Sequence, residues 1–194
     1  QAEYRNTNWF KQLFSSAIMQ NHSVSLSGGT EKSNYYASLS AMVDPGWYKD
    51  SKVNRYTVSM NMTHHILDNL SVNLIGGGSY RKQRAPGTLG QDVDVVSGQV
   101  KRDFDINPYS YALNTSRALD PYTYYHANYA AFNILHELES NYIDLNVADA
   151  KFQLELKWKP FKDLELSTLG AIKYSTSSQE HNILEDSNQA LAYR

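Results

Sequence analysis

Arg55-Tyr56-Thr57-Val58-Ser59-Met60-Asn61-Met62-Thr63 decides the fold class of this 194-residue chain. Tyr56, Val58, Met60 and Met62 fall on every second residue, and Arg55, Thr57, Ser59, Asn61 and Thr63 fill the places between. Side chains alternate across an extended strand, so the stretch reads as a strand with one apolar and one polar face.

The pattern recurs on both sides. Residues 22–28 set Val24 and Leu26 against Ser23, Ser25 and Ser27. Residues 34–43 set Tyr35, Ala37, Leu39, Ala41 and Val43 against Asn34, Ser38 and Ser40. Residues 69–75 set Leu70, Val72 and Leu74 against Ser71 and Asn73. Residues 150–158 set Phe152, Leu154, Leu156 and Trp158 against Lys151, Gln153, Glu155 and Lys157. Residues 164–174 set Leu164, Leu166, Ile172 and Tyr174 against Glu165, Ser167 and Lys173. The spacing thus predicts six two-faced strands. Ahead of them, Trp9, Phe10, Leu13 and Phe14 recur at helical spacing, with Thr7 or Asn8 to cap a short packing helix.

The connections sort by length. Gly29 to Lys32, Ile66 to Asp68 and Pro160 to Asp163 are tight turns, Asp44-Pro45-Gly46 opens a medium loop to about Val53, and residues 83–143 form a very long one. In an up-and-down meander alternate connections share an end, so the tight turns gather at one end and both longer loops at the other. Membrane barrels have this asymmetry, with short periplasmic turns and long extracellular loops. Tyr35, Tyr56, Trp158 and Tyr174 sit near strand ends on the apolar face, where an interfacial girdle belongs. The charges on the polar face suit a watery interior in which they pair across strands, or equally the outside of a soluble sheet.

Composition sets limits. Eighteen Lys and Arg balance 20 Asp and Glu, which argues against a basic nucleic-acid-binding face. There is no Cys, so disulfides and thiolate metal sites are excluded. No run of about 18 apolar residues is present to form a membrane helix. Mean hydropathy is −0.55, but alternating barrel strands average out as polar in the same way. Tyr is abundant, 15 against 6 Phe, which fits a membrane interface, a barrel wall, a sugar-binding surface or a soluble β domain. No signal peptide is visible at the start, and Gln1 to Thr7 read as the middle of something longer. Six strands are too few to close a membrane barrel, for which about eight is the minimum. The membrane reading therefore expects neighbouring strands from a longer polypeptide or assembly.

Three stretches carry a family resemblance. They are Asn6 to Phe10 with Gln20-Asn21-His22-Ser23-Val24-Ser25-Leu26-Ser27-Gly28-Gly29-Thr30-Glu31-Lys32 running on to Leu39, then Phe104 to Arg117, then Asn128 to Glu139. They resemble the barrel of SusC/RagA-family TonB-dependent transporters, and the likeness extends over essentially the whole chain. The resemblance implies a plugged barrel of about 22 strands. It implies import driven through TonB, a SusD-like surface lipoprotein as lid, and glycans, oligosaccharides or peptides as substrates. The TonB box, the plug and most of the barrel are missing from this sequence. The six strands would be the second to seventh, and the chain by itself is expected to transport nothing.

The long connection is the expected functional element, since loops of about sixty residues are usually functional or disordered. It carries Tyr109, Tyr111, Tyr122, Tyr124, Tyr125 and Tyr129, with Arg102 and Arg117. Tyr rings stack on sugars and donate hydrogen bonds, and Arg orients carboxylates. Substrate or lid contact is assigned to Tyr109, Tyr111, Arg117, Tyr122, Tyr124 and Tyr125. The plainer alternative for each is packing within the loop's own small core.

Catalytic and metal motifs fail on inspection. His136-Glu137-Leu138-Glu139-Ser140 begins like a zinc-protease helix but has Ser where the second ligand belongs. His64 and His65 are adjacent on a strand and point to opposite faces. Gly76-Gly77-Gly78-Ser79 lacks the lysine of a phosphate loop and marks a bend or a close backbone approach. Asp92, Asp94, Asp103 and Asp105 are too few oxygen donors for calcium. No catalytic set, metal or cofactor is expected.

The sequence thus indicates an all-β, antiparallel up-and-down transmembrane barrel segment with a short N-terminal helix and one long extracellular loop. Its expected parts are 1–20 loop and helix, 21–82 strands, 83–143 long loop, and 144–194 strands and the next loop. The expected setting is the bacterial outer membrane, with outer-membrane lipid, a SusD-like lipoprotein and, through missing parts, TonB as partners, and no nucleic acid. The competing reading is a soluble all-β binding module with a Tyr-rich loop; an outer-membrane hydrolase ranks third.

Overall fold

The computed structural model describes residues 4–87, 91–94, 99–102, 108–127 and 130–191. In chain order the elements are α1 (Trp9–Leu13), β1 (Gln20–Gly29), β2 (Ser33–Asp44), β3 (Lys52–Leu67), β4 (Leu70–Pro86), β5 (Gln91–Asp94) and β6 (Gln99–Arg102). Then come α2 (Pro108–Asn114), β7 (Tyr125–Ala127), β8 (Ala130–Phe132), α3 (Ile134–Ser140), β9 (Asn141–Phe161), β10 (Leu164–Ile183) and α4 (Asn188–Leu191). One antiparallel sheet runs in the order β1-β2-β3-β4-β9-β10. β5 pairs with β6 and β7 with β8 as small ribbons inside the long connection. Asn8 caps α1, its side chain accepting from the Lys11 N–H.

The six strands of the sheet follow the alternation, and the register carries both faces across it. One face runs Leu26, Ala37, Met60, Gly76, Phe152, Ile172 in a row, the next row being Val24, Leu39, Val58, Gly78, Ala150, Tyr174. The other face has Ser25, Ser38, Ser59, Gly77, Lys151 and Lys173 in register. On β4 the apolar face spans Leu70 to Tyr80, opposite Trp158 to Ala148 of β9. These eleven positions match the roughly 9–11 residues a tilted strand needs to cross a bilayer. No other layer covers this face among the described residues: Val24 is 74% exposed, Leu39 61% and Val58 51%. A soluble sheet buries its apolar face against something. This one stands uncovered among the described residues, as the outer face of a barrel wall does.

The strands outrun the alternation that reveals them. β9 is 21 residues long, roughly 70 Å of extended chain, about twice what a tilted crossing needs. Above the band the pattern reverses. Tyr142, Asp144 and Asn146 now occupy the outward face, while Ile143, Leu145 and Val147 turn inward. Ile143, Leu145 and the facing Ala85 are buried. β4 accordingly continues to Pro86 and β9 begins at Asn141, so the long connection is residues 87–140 rather than 83–143. Tyr56 and Tyr174 mark the edge of the band, not the ends of their strands, and Tyr80 joins them there.

The inner-face charges pair less across strands than expected. Lys151 stands opposite Lys173, and Glu155 opposite Leu169. Ion pairs join Lys157 to Glu155 along one strand at 3.5 Å and Lys159 to Glu165 across the turn at 3.0 Å. His64 and His65 do face opposite ways, and His64 Nδ1 shares a hydrogen bond with Ser33 Oγ at 2.6 Å. The glycine run does mark close approach: a Cβ at Gly78 would lie 2.8 Å from the Asp149 carbonyl oxygen.

Candidate functional site

At the long-loop end, separate pieces of chain fold into one lobe. Trp9 and Leu13 of α1 pack with Ala112, Ile134 and Leu138, and Tyr111, Phe132 and Leu135 close around them. Backbone bonds lock the pieces together. The Thr7 N–H donates to the Arg117 carbonyl at 2.9 Å, and the Lys49 N–H to the Leu13 carbonyl at 3.0 Å. Asn133 caps α3 by accepting from the Leu135 and His136 N–H groups, and its amide donates to the Pro121 carbonyl at 2.8 Å. α3 thereby holds the 121–124 stretch against its own first turn.

That arrangement forms a cleft of about 350 Å³ between the 45–51 loop, the 121–124 turn and α3. Tyr122 and Tyr124 stand on one side, His136 and Glu139 on another, and Lys49 and Asp50 on a third. His136 and Glu139 are three residues apart on α3, so they share a helix face. Asp50 has a φ of 63°, a left-handed conformation that Asp tolerates better than most residues. Tyr122 is 75% exposed, and the Tyr124 ring lies 5.7 Å from that of His136. The Tyr124 hydroxyl is held above its usual range by desolvation, then by the charges of Asp186, Glu137 and Glu139, so it stays a neutral donor. His136 Nδ1 shares a hydrogen bond with Ser140 Oγ at 2.7 Å, but Ser140 is buried and out of a substrate's reach.

The structure separates the six residues assigned to contact. Tyr122 and Tyr124 meet in the cleft. Tyr111 stands edge-on to Trp9 at 5.3 Å, half-buried, and desolvation raises its hydroxyl pKa. Tyr125 accepts from the Asp120 N–H at 3.0 Å and staples a turn. Tyr109 rests edge-on to Phe10, and Arg117 contributes its carbonyl to the lobe while its side chain faces out. Tyr129, Asp103 and Asp105 lie outside the described residues, as do the side chains of Arg102, Asp92 and Asp94. Lys49 and Asp50 escape sequence reasoning, and His136 and Glu139 enter it only as a broken zinc-protease motif; their i, i+3 spacing was the available signal for a shared face. The cleft offers stacking surfaces, hydroxyl and imidazole donors and charges of both signs.

Below the lobe, the polar face of the sheet bears a hollow of about 500 Å³ lined by Arg55, Thr57, Ser59, Ser79, Arg81 and Asp149. Ser79 Oγ donates to Asp149 Oδ1 at 2.6 Å.

Fold and faces together define a segment of the wall of a transmembrane β-barrel. Known proteins agree. Over 77 residues the chain is 32% identical to the TonB-dependent receptor SusC of Bacteroides thetaiotaomicron, a match covering 37% of this chain and 8% of that protein. Over 158 residues it is 25% identical to the TonB-dependent receptor P3 of Formosa agariphila, covering 69% of this chain and 16% of that protein. The chain thus spans a small part of the length of the curated relatives it matches. The fold matches the RagAB peptide importer in its closed-closed state with a TM-score of 0.67 over 95% of this chain and 21% of that one, at 17% identity. The open-open state gives 0.65, covering 90% of this chain and 19% of that one, again at 17% identity. No family model matches.

Proposed function

We propose that this chain is part of the barrel of a SusC/RagA-family TonB-dependent importer in a bacterial outer membrane. It serves uptake of glycans, oligosaccharides or peptides beneath a SusD-like lipoprotein lid, and TonB engages parts of the protein outside this chain. Its work is transport, not catalysis. The observation that carries this reading is the uncovered apolar band, one bilayer crossing tall, with the tight turns sorted to one end. The similarity to TonB-dependent receptors supports it. A soluble binding module would need a second layer over that band, and the described residues provide none.

In this reading the Tyr122–Tyr124 cleft faces incoming substrate or the lid. The test is uptake by the intact importer across glycans and peptides, with Tyr122→Ala and Tyr124→Ala combined. Uptake should fall at least several-fold while the barrel still assembles. Unchanged uptake of every transported substrate removes the cleft from the proposal, and solubility of the intact protein without detergent removes the membrane.

A further inference from the structure

The polar face of the sheet sets like charges side by side. Arg55 of β3 stands directly opposite Arg81 of β4, next to Tyr56 and Tyr80 at the band's upper edge. Four residues down the strands, about 13 Å, Lys151 of β9 stands directly opposite Lys173 of β10. Gly77 shares the Lys151 row and lines the hollow of about 500 Å³, which reaches up to both arginines. Thr57, Ser59 and Ser79 add hydroxyls to it. The acids of this face are few. Asp149 accepts from Ser79 Oγ at 2.6 Å inside the hollow. Asp44, one row above Arg55, accepts from the Gly46 N–H at 2.9 Å. Glu155, two rows below Lys151, is held by Lys157 at 3.5 Å. Asp144 and Glu180 lie on the outward face. Arg55, Lys151 and Lys173 are exposed and form no ion pair among the described residues.

We infer that this strip of the inner wall is a binding site for an acidic peptide, extended along the strands with carboxylates toward Arg55 and Arg81 above and Lys151 and Lys173 below. Four cations meet only Asp149 and Asp44 there, so a surplus of positive charge remains among the described residues. Like charges directly opposite each other repel, and an anion laid between them relieves both pairs. A guanidinium fork matches a carboxylate with two parallel hydrogen bonds. An extended peptide turns side chains to one face at every second residue, the same repeat as the rows of this wall. A sugar chain calls for rings to stack on, and no aromatic ring lines the hollow among the described residues. The inference rests on the proposed importer, since this face lines a passage only in a closed barrel.

The experiment measures binding to the purified intact transporter by titration calorimetry, and uptake by cells carrying it. The probes are a short peptide alternating glutamate with serine, the same peptide with glutamine for glutamate, and an oligogalacturonate. The glutamate peptide should bind at least about tenfold more tightly than the glutamine peptide, and less tightly as salt rises. Arg55→Gln with Arg81→Gln should remove most of that preference, and Arg55→Lys with Arg81→Lys should restore part of it. Lys52→Gln with Lys82→Gln, which deletes the same charge from the outward face, should leave the preference unchanged. Gel mobility before and after heating establishes that each variant still forms a barrel. Equal binding of the two peptides, a preference that survives loss of both arginines, or tighter binding of the oligogalacturonate overturns the site while leaving the importer intact. Arginine-dependent binding of the glutamate peptide without uptake of any probe or other solute keeps the site and overturns the importer reading beneath it.

Discussion

Trp9 is 3% exposed although it belongs to a helix of five residues. So short a helix has no stability of its own, and burial of Trp9 and Leu13 against Ala112, Ile134 and Leu138 holds it. The indole Nε1–H donates to the Ser116 carbonyl at 3.0 Å, so the residue also fixes the loop's position. Trp9→Ala should cost the lobe about 3–5 kcal/mol, and Trp9→Phe less. Proteolysis within 108–127 should accelerate in that order while barrel assembly is unaffected; equal resistance in all three proteins would place the lobe's stability elsewhere. Arg84 and Asp144, beyond the apolar band, add a pH dependence. The Arg84 guanidinium holds the Asp144 carboxyl below its usual range. A lowered folded-state pKa gives stability that is complete above the ordinary carboxylate value of about 4 and is lost as pH falls through the lowered one. Acid should therefore loosen the junction of β4 and β9, and Asp144→Asn should remove that acid dependence. Hydrogen exchange at residues 82–86 from pH 7 downward reads both.

At the scale of strands, position relative to the band decides what a substitution does. Leu154 and Ser178 both face outward, on neighbouring strands. Leu154 lies mid-band and Ser178 above it, level with Lys82. Arg at 154 should destabilise the folded barrel by about 2–4 kcal/mol, and Arg at 178 by about 0–1. Folding titrations of the intact barrel in lipid measure the difference; equal costs would mean that the band is drawn at the wrong height. Glycines separate in the same way. Gly170 has open space where a Cβ would go, whereas a Cβ at Gly78 meets backbone of β9. Gly170→Val should assemble normally and Gly78→Val should not, as unheated gel mobility will register. The band is also why much of the fold is legible in the sequence. Where lipid touches one face and water the other, residues such as Val58 and Ser59 must alternate, and the eye finds the strand. Above the band Leu145 and Asp144 alternate with the opposite sense, so the upper halves of β4 and β9 read as loop. The site is less legible still. Tyr122 and Tyr124 were visible as residue types, but Lys49 and Asp50 reach them because backbone bonds to Leu13 and Ser15 anchor their loop, the first a contact over 36 positions of sequence.

For the molecule as a whole, the sheet's open sides are decisive. Among the described residues β1 and β10 are edge strands, each paired on one side only. β10 is 20 residues long and its whole band portion lies at that edge. Every second residue of an edge strand directs its N–H and C=O away from the sheet, and in hydrocarbon each unsatisfied group costs several kcal/mol. Over a crossing of about ten residues the total far exceeds any domain's net stability. These six strands therefore cannot rest in a bilayer by themselves, and their faces forbid water as the alternative, since Val24, Leu26, Leu39, Ile172 and their neighbours would stand uncovered. Expressed alone, residues 1–194 should aggregate or pair edge to edge, and reconstituted with lipid they should form no heat-modifiable barrel. Supplied together with the flanking strands that the proposed importer would provide, they should complete one that resists protease from the lipid side. A monodisperse, detergent-free monomer of the isolated chain would contradict the argument at its root, because it would require the apolar face to be satisfied without lipid.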